Sequence, residues 1–249
     1  MDLQLTDSVV LVTGASRGLG AAMAIELARE GALVVATARS KDSLAEVAAR
    51  GDGRISLVEA DMRDETSVAA LVPEVIARHG RIDGLINNAG IAPAGKFVTQ
   101  DPGIWRDAMT VNVLAPMLLA QAAGAQMIAQ GGGRILNIAS TTGIRGKPFL
   151  VSYSTSKGAV VRLTEALAAE WASKNIQVNC IAPGAFATDA QEAVTESPEL
   201  LARRISKIPA GRMADPSELV GLVCLLMSPR SSFTTGAIFV VDGGESGKL

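Results

Sequence analysis

Short apolar runs recur near residues 8–13, 32–38, 54–60, 82–87, 133–139, 175–182 and 236–241, and stretches with helical periodicity fill the intervals. Runs such as SVVLVTG and ALVVATA are apolar at consecutive positions, the pattern of strands covered on both faces. Their alternation with helices predicts one α/β domain over residues 1–249, a doubly wound parallel sheet of seven strands with helices on both sides. No linker or internal repeat divides the chain. Long helices are expected near 101–130 and 152–173, and the segment 185–209, ahead of a helix starting near Asp215, is the least regular.

Sheets of this kind bind ligands beyond the carboxyl ends of their strands, where Gly14, Asp61, Asn88, Ser140 and Pro183 all fall. The first of these ends carries TGASRGLG at 13–20, followed by the helical pattern AAMAIELAREG. Glycines at 14, 18 and 20 let the backbone turn tightly and approach a pyrophosphate, which the N–H groups of the helix terminus would hold. Ser16, Arg17 and Leu19, set among those glycines, join the expected contacts. The spacing is GxxxGxG rather than GxGxxG, yet the strand, turn and helix context is the one dinucleotide binding requires.

Ser140 ends the apolar run RILNIAS, and Tyr153 is followed four positions later by Lys157. Residues four apart share a helix face, so the phenol and the ammonium can converge on one bound molecule. A phenol with a pKa of about 10 is an acid at neutral pH and becomes a base only when its phenolate is stabilised. A nearby lysine is expected to provide that by lowering the tyrosine pKa, and the Ser140 hydroxyl to orient a substrate oxygen.

Taken together, the TGxxxGxG loop, Asp61 in EADM, NNAG at 87–90, Asn112 in TVNV, Ser140, Tyr153, Lys157 and PGxxxT at 183–188 resemble the compact type of short-chain dehydrogenase/reductase. The resemblance runs over nearly the whole chain and implies a Rossmann-like fold and a nicotinamide cofactor. It implies a catalytic set of Asn112, Ser140, Tyr153 and Lys157, with Asp61 and Met62 near the adenine and Asn88 and Gly90 beside the cofactor. Thr188 and the backbone of Phe186 would hold the carboxamide, Tyr153 and Lys157 would also contact the cofactor, and Asn112 would hold a proton-relaying water. The segment 185–209 resembles the family's substrate lid, and the long helices resemble those that pair in homotetramers. NIQVNCIAPGAFAT and KIPAGRMADPSEL look most like the branch of gluconate 5-dehydrogenases and related sugar or polyol dehydrogenases, and also like 3-oxoacyl-carrier-protein reductases. The stretch after NNAG lacks the TRD-type start of the latter branch. A general ketoreductase acting on a small carbonyl or alcohol is therefore expected, with a 3-oxoacyl thioester reductase as the alternative. A non-catalytic NADP-binding sensor or scaffold is the reading from another class, and the intact Tyr153 and Lys157 argue against it.

Cofactor choice is written at the end of the second strand, ALVVATARS. Where an acidic residue would select NAD, Ala38 stands, followed by Arg39. A neutral side chain removes repulsion toward a 2′-phosphate, and Arg39, with Arg17 from the loop, offers planar donors to it. NADP(H) is thus favoured over NAD(H).

A net charge of −2 and a pI near 5.6, with no dense Lys/Arg stripe, give no sign of a nucleic-acid partner. The apolar stretch from Val111 to Ala129 is interrupted by Asn112, Pro116, Gln121 and Gln126, which argues against a membrane span. MDLQLTDS resembles no targeting signal, so a cytoplasmic protein is expected. Cys180 and Cys224 lie in apolar runs and read as buried free thiols. The single histidine, His79, reads as a solvated or capping residue, and no metal site is expected. Lys96, Arg145 and Lys147, in loops after NNAG and Ser140, are cations that could meet an anionic substrate.

Overall fold

A computed structural model of the chain describes residues 2–247. The first half runs β1 (Val9–Thr13), α1 (Gly18–Arg29), β2 (Leu33–Ala38), α2 (Asp42–Ala49), β3 (Ile55–Glu59), α3 (Glu65–His79) and β4 (Gly84–Asn87). After it come α4 (Pro102–Met109), α5 (Ala115–Gln130), β5 (Gly133–Ile138), α6 (Thr141–Ile144), α7 (Val151–Trp171) and β6 (Ile176–Pro183). The last part holds α8 (Glu192–Thr195), α9 (Pro198–Ile205), α10 (Ser217–Met227) and β7 (Ile238–Val241). Each expected strand is present, its ends shifted by at most a residue or two.

All seven strands form one parallel sheet in the order β3-β2-β1-β4-β5-β6-β7. The chain reverses its direction of travel across the sheet between β1 and β4, which opens a crevice above their carboxyl ends. Successive residues of β1 point to opposite faces. Val10 and Val12 pack with Met23, Leu27, Val223 and Met227 under α1 and α10, whereas Val9 and Leu11 pack with Leu71, Val75, Leu119 and Met127 under α3 and α5.

Helix ends follow local chemistry. Asp64 caps α3 by accepting from the Thr66 N–H at 3.0 Å, and α3 stops at Gly80, whose φ of 74° suits glycine. Asp101 caps α4 at the Gly103 N–H, 2.7 Å away, ahead of Pro102 at the first helical position. The long helix expected over 101–130 is interrupted by a π turn at Thr110–Leu114, which contains Asn112. By length and hydropathy alone the continuous segment Pro102–Gln130 would suit a membrane, but half of its most apolar stretch is buried within the fold. Gly124 of that segment lets the Trp171 ring approach, since a Cβ there would lie 2.6 Å from the ring.

The segment 185–209 is more regular than expected, because Pro198 opens α9 and the Ser197 hydroxyl accepts from the Leu200 N–H at 3.4 Å. Cys180 and Cys224 are free and buried.

Candidate active site

A cleft of about 1010 Å³ lies over the carboxyl ends of the strands. It is lined by Gly14, Ser16, Arg17, Gly18, Leu19, Gly20, Arg39, Asp61, Met62, Asn88, Gly90, Ser140, Tyr153, Lys157, Phe186 and Thr188. Every cofactor contact expected from sequence is therefore on one surface.

The glycine loop is shaped by close contacts. Gly14 has φ +64°, and a Cβ there would fall 2.8 Å from Ala89 Cα. A Cβ on Gly20 would lie 2.2 Å from the Gly14 oxygen and 2.5 Å from Asn88 Nδ2. The Asn88 amide donates to the oxygens of Thr13 and Gly14 at 2.9 and 3.1 Å, so it holds the loop. Thr13 Oγ1, which the sequence reading does not single out, accepts from the N–H groups of Asn88 and Ala89, each at 3.0 Å, and donates to the Ile86 oxygen at 3.3 Å. Helix α1 starts after an extended Arg17, with no side-chain cap and no acidic residue in its first turn. Its terminal N–H groups thus face the cleft without competition from a protein carboxylate.

These features fit a dinucleotide. The cradle has room only for glycine, the helix end has free donors, and Thr37 Oγ1, buried in the cleft wall, has no hydrogen-bond partner among the described residues. At the end of β2, Ala38, Arg39 and Ser40 line the cleft with Ser43 and Arg17, and the Ser43 hydroxyl donates to the Ser40 oxygen at 2.6 Å. Arg17 and Arg39 are exposed and make no ion pair among the described residues. Ser40 and Ser43 went unnoticed in the sequence because hydroxyls in a loop carry no spacing signal. Asp61 accepts from the Arg63 N–H at 2.9 Å, while Phe186 is buried and bridged to Ala214. Thr188 touches the loop, 3.3 Å from where a Gly18 Cβ would stand.

Ser140 stands two residues past β5 as the cap of α6, its Oγ accepting from the Thr142 N–H at 3.2 Å and the Thr142 hydroxyl at 3.1 Å. Tyr153 and Lys157 lie on one face of α7, with the Lys157 nitrogen 5.9 Å from the tyrosine ring centre. Lys157 is buried, and its ammonium donates to the Ile138 oxygen at 2.7 Å. Burial lowers the Lys157 pKa to about 8. Gly143 permits this packing, because a Cβ there would fall 2.6 Å from the Lys157 carbonyl carbon.

One expectation needs correction. Burial raises the Tyr153 pKa above its usual value, with the Ser140 hydrogen bond acting in the opposite direction, so the expected depression by lysine is not what dominates. The reason is that the same low-polarity surroundings disfavour the phenolate and the Lys157 charge alike. Asn112 sits behind Gly90 and Lys157, which line the cleft. It is buried in the π turn, its Oδ1 accepting from the Ile91 N–H at 2.9 Å and its Nδ2 donating to the Ile91 oxygen at 2.8 Å and to Ser156 Oγ at 2.9 Å. Its side chain braces the wall beside Gly90, where a Cβ would lie 3.2 Å from Asn112 Oδ1 and 3.3 Å from Lys157 Nζ.

The cations offered for an anionic substrate separate by their surroundings. Lys96 and Arg145 are exposed, while Lys147 pairs with Glu245 at 3.3 Å. His79 ends α3, and its Nε2 is buried without a partner among the described residues.

Residues 14–246 match a family model described as enoyl-(acyl carrier protein) reductase. A gluconate 5-dehydrogenase of Gluconobacter oxydans is 39% identical over 246 residues, covering 96% of this chain and 95% of the relative. The chain belongs to the short-chain dehydrogenase/reductase family. This member is also 35% identical to the 3-oxoacyl-[acyl-carrier-protein] reductase FabG of Thermotoga maritima, over 97% of this chain and 99% of that one. A crystal structure of a gluconate 5-dehydrogenase from Burkholderia cenocepacia, in complex with NADP and tartrate, superposes with a TM-score of 0.94 at 34% identity, covering 100% of this chain and 98% of that one. The short-chain dehydrogenase/reductase assignment makes the chain an oxidoreductase acting between a CH–OH group and a ketone.

Proposed function

We propose that the chain is an NADP(H)-dependent ketoreductase or secondary-alcohol dehydrogenase whose substrate is a sugar acid or polyol. The observation that carries the cofactor reading is the end of β2, where Ala38 replaces an acidic residue and Arg17, Arg39, Ser40 and Ser43 offer donors for a 2′-phosphate. Relatives solved with NADP support it. The substrate reading rests on similarity to gluconate and 2-dehydro-3-deoxy-D-gluconate 5-dehydrogenases.

A bound nicotinamide supplies the hydride acceptor or donor. Ser140 Oγ orients the substrate oxygen beside Tyr153. The phenol donates its proton to the forming alkoxide in reduction and removes the alcohol proton in oxidation. A raised tyrosine pKa keeps that proton in place across the neutral range, which suits reduction. Lys157, fixed by the Ile138 oxygen, holds a donor beside the reacting groups. Asn112 supports the wall that carries Ile91 and Lys157. Segment 185–209 serves as the substrate lid, and the protein acts as a cytoplasmic homotetramer, for which light scattering is the check.

Nicotinamide absorbance with NADPH tests the assignment, comparing 5-ketogluconate with an acetoacetyl thioester and using Tyr153→Phe as the blank. Faster turnover of the ketoaldonate supports the sugar-acid reading. Preference for the thioester makes the chain an acyl-thioester reductase, and NADPH binding with no turnover of any carbonyl revives the non-catalytic reading.

A further inference from the structure

Glu245, in the turn that follows β7, holds two cations from remote parts of the chain. Its carboxylate accepts two hydrogen bonds from the Arg204 guanidinium, at 2.8 and 2.7 Å, and one from Lys147 at 3.3 Å. Arg204 is in the last turn of α9, and Lys147 is in the loop between α6 and α7 that leads into Tyr153. The Arg204 and Glu245 side chains are only 19% and 13% exposed, so this pair is shielded from solvent and from screening salt. A two-pronged Arg–carboxylate contact fixes direction as well as distance.

The surrounding backbone shows the same convergence. Asp242 accepts from the N–H groups of Gly244 and Ser246 at 2.9 and 2.6 Å, which sets the turn that presents Glu245. The Ala210 N–H donates to the Gly243 oxygen at 3.0 Å, so the end of segment 185–209 is bolted to this turn. On the other side, the Lys147 N–H donates to Ser154 Oγ at 3.3 Å, next to Tyr153. Two residues beyond Lys147, Phe149 has φ +64°, a left-handed conformation that a bulky side chain adopts only when its surroundings enforce it, and its oxygen accepts from the Gly95 N–H at 2.9 Å.

We infer that Glu245 is a positioning residue that joins the lid helix α9 to the loop preceding Tyr153, and so sets the shape of the substrate side without touching the cofactor. Lys147 and Arg204 are consumed by this clamp and are not ligands of a substrate carboxylate. The inference rests on the oxidoreductase reading of the cleft. It adds a determinant of substrate binding that lies outside the residues lining it.

The test compares Glu245→Ala, the milder Glu245→Gln, Arg204→Ala and the double variant. The readouts are KM and kcat for the better carbonyl substrate, NADPH affinity by fluorescence, and the rate of limited proteolysis within residues 189–205. The expected result is a KM raised by about 10-fold or more in Glu245→Ala and Arg204→Ala, with a smaller rise in Glu245→Gln. NADPH affinity stays within about 2-fold, and the double variant is no worse than either single one, as coupled residues require. Cleavage within 189–205 is faster in both single variants. An unchanged KM with unchanged cleavage, additive losses, or a loss of NADPH affinity equal to the loss in KM overturns the clamp. If the wild-type protein turns over no carbonyl, the oxidoreductase reading fails, and the proteolysis contrast between wild type and variants still decides the clamp by itself.

Discussion

Lys157 is hydrogen-bonded to the main chain of Ile138, with its nitrogen 2.7 Å from the oxygen of the last residue of β5. The bond ties the middle of α7 to the sheet and leaves a buried lysine whose pKa is lowered to about 8. Both facts have measurable consequences.

Below pH 8 this lysine is protonated in the folded and unfolded states, and the folded state carries the full cost of the buried charge. Between about 8 and the ordinary value of 10.5 the unfolded chain binds more protons, so the contribution of Lys157 to stability rises with pH. Cys180 and Cys224, raised by burial to about 11 and about 12, act in the opposite sense above pH 9, because the unfolded state loses their protons first. Urea unfolding of wild type and Lys157→Met across pH 7.5–10.5 separates them. The wild-type midpoint should gain on the variant as pH rises through that window, and parallel curves would count against the shift.

Tyr153→Phe removes the phenolic proton beside Ser140 and keeps the ring. Turnover should fall by about 10²- to 10⁴-fold. NADPH affinity, read by fluorescence, should be nearly unchanged, and its loss would mark Tyr153 as structural.

Arg39→Asp places a carboxylate where a 2′-phosphate would sit. The NADPH/NADH ratio of kcat/KM should fall by roughly 10-fold or more, the size of a lost charge-assisted hydrogen bond. A ratio that stays put removes the case for NADP(H).

Gly20→Ala isolates packing in the glycine loop, because the nearest clash is with backbone, the Gly14 oxygen at 2.2 Å, and the next, at 2.5 Å, is with an Asn88 side-chain amide already held by two hydrogen bonds. Overpacking of this kind costs about 1–3 kcal/mol. Melting temperature and NADPH affinity should drop together, and a variant that binds normally would show that the loop can widen.

Asn112→Ala strips the side-chain partner from the N–H and oxygen of Ile91, while Ser156 Oγ keeps its bond to the Tyr153 oxygen. Each buried group left unpaired costs about 1–3 kcal/mol. Chemical denaturation should register the loss, and a change under about 0.5 kcal/mol would mean that water replaces the amide.

The strands were legible because residues such as Val9 to Val12 bury both faces, a demand that writes a continuous apolar run. The cleft residues were legible where glycine is the only side chain that fits, as at Gly14 and Gly20. The π turn was not, since an extra residue in a helical turn leaves the apolar pattern of 102–130 almost intact. Nor was the role of Thr13, whose partners are 73 to 76 positions away. The direction of the Tyr153 shift was missed for a related reason: the YxxxK spacing reports proximity to a charge and says nothing of burial. Helix α9 is short and largely solvated, so no buried stripe marks it in the sequence.

The Thr13 hydroxyl, shared between Asn88, Ala89 and Ile86, has a thermodynamic consequence. Shared hydrogen bonds tie the glycine loop to the NNAG strand end, so the cradle is preorganised by folding and less ordering entropy is left for an arriving dinucleotide to lose. Affinity for the cofactor is in that sense drawn from the stability of the sheet, and a variant that loosens β1 from β4 should weaken cofactor binding without altering any group that touches it.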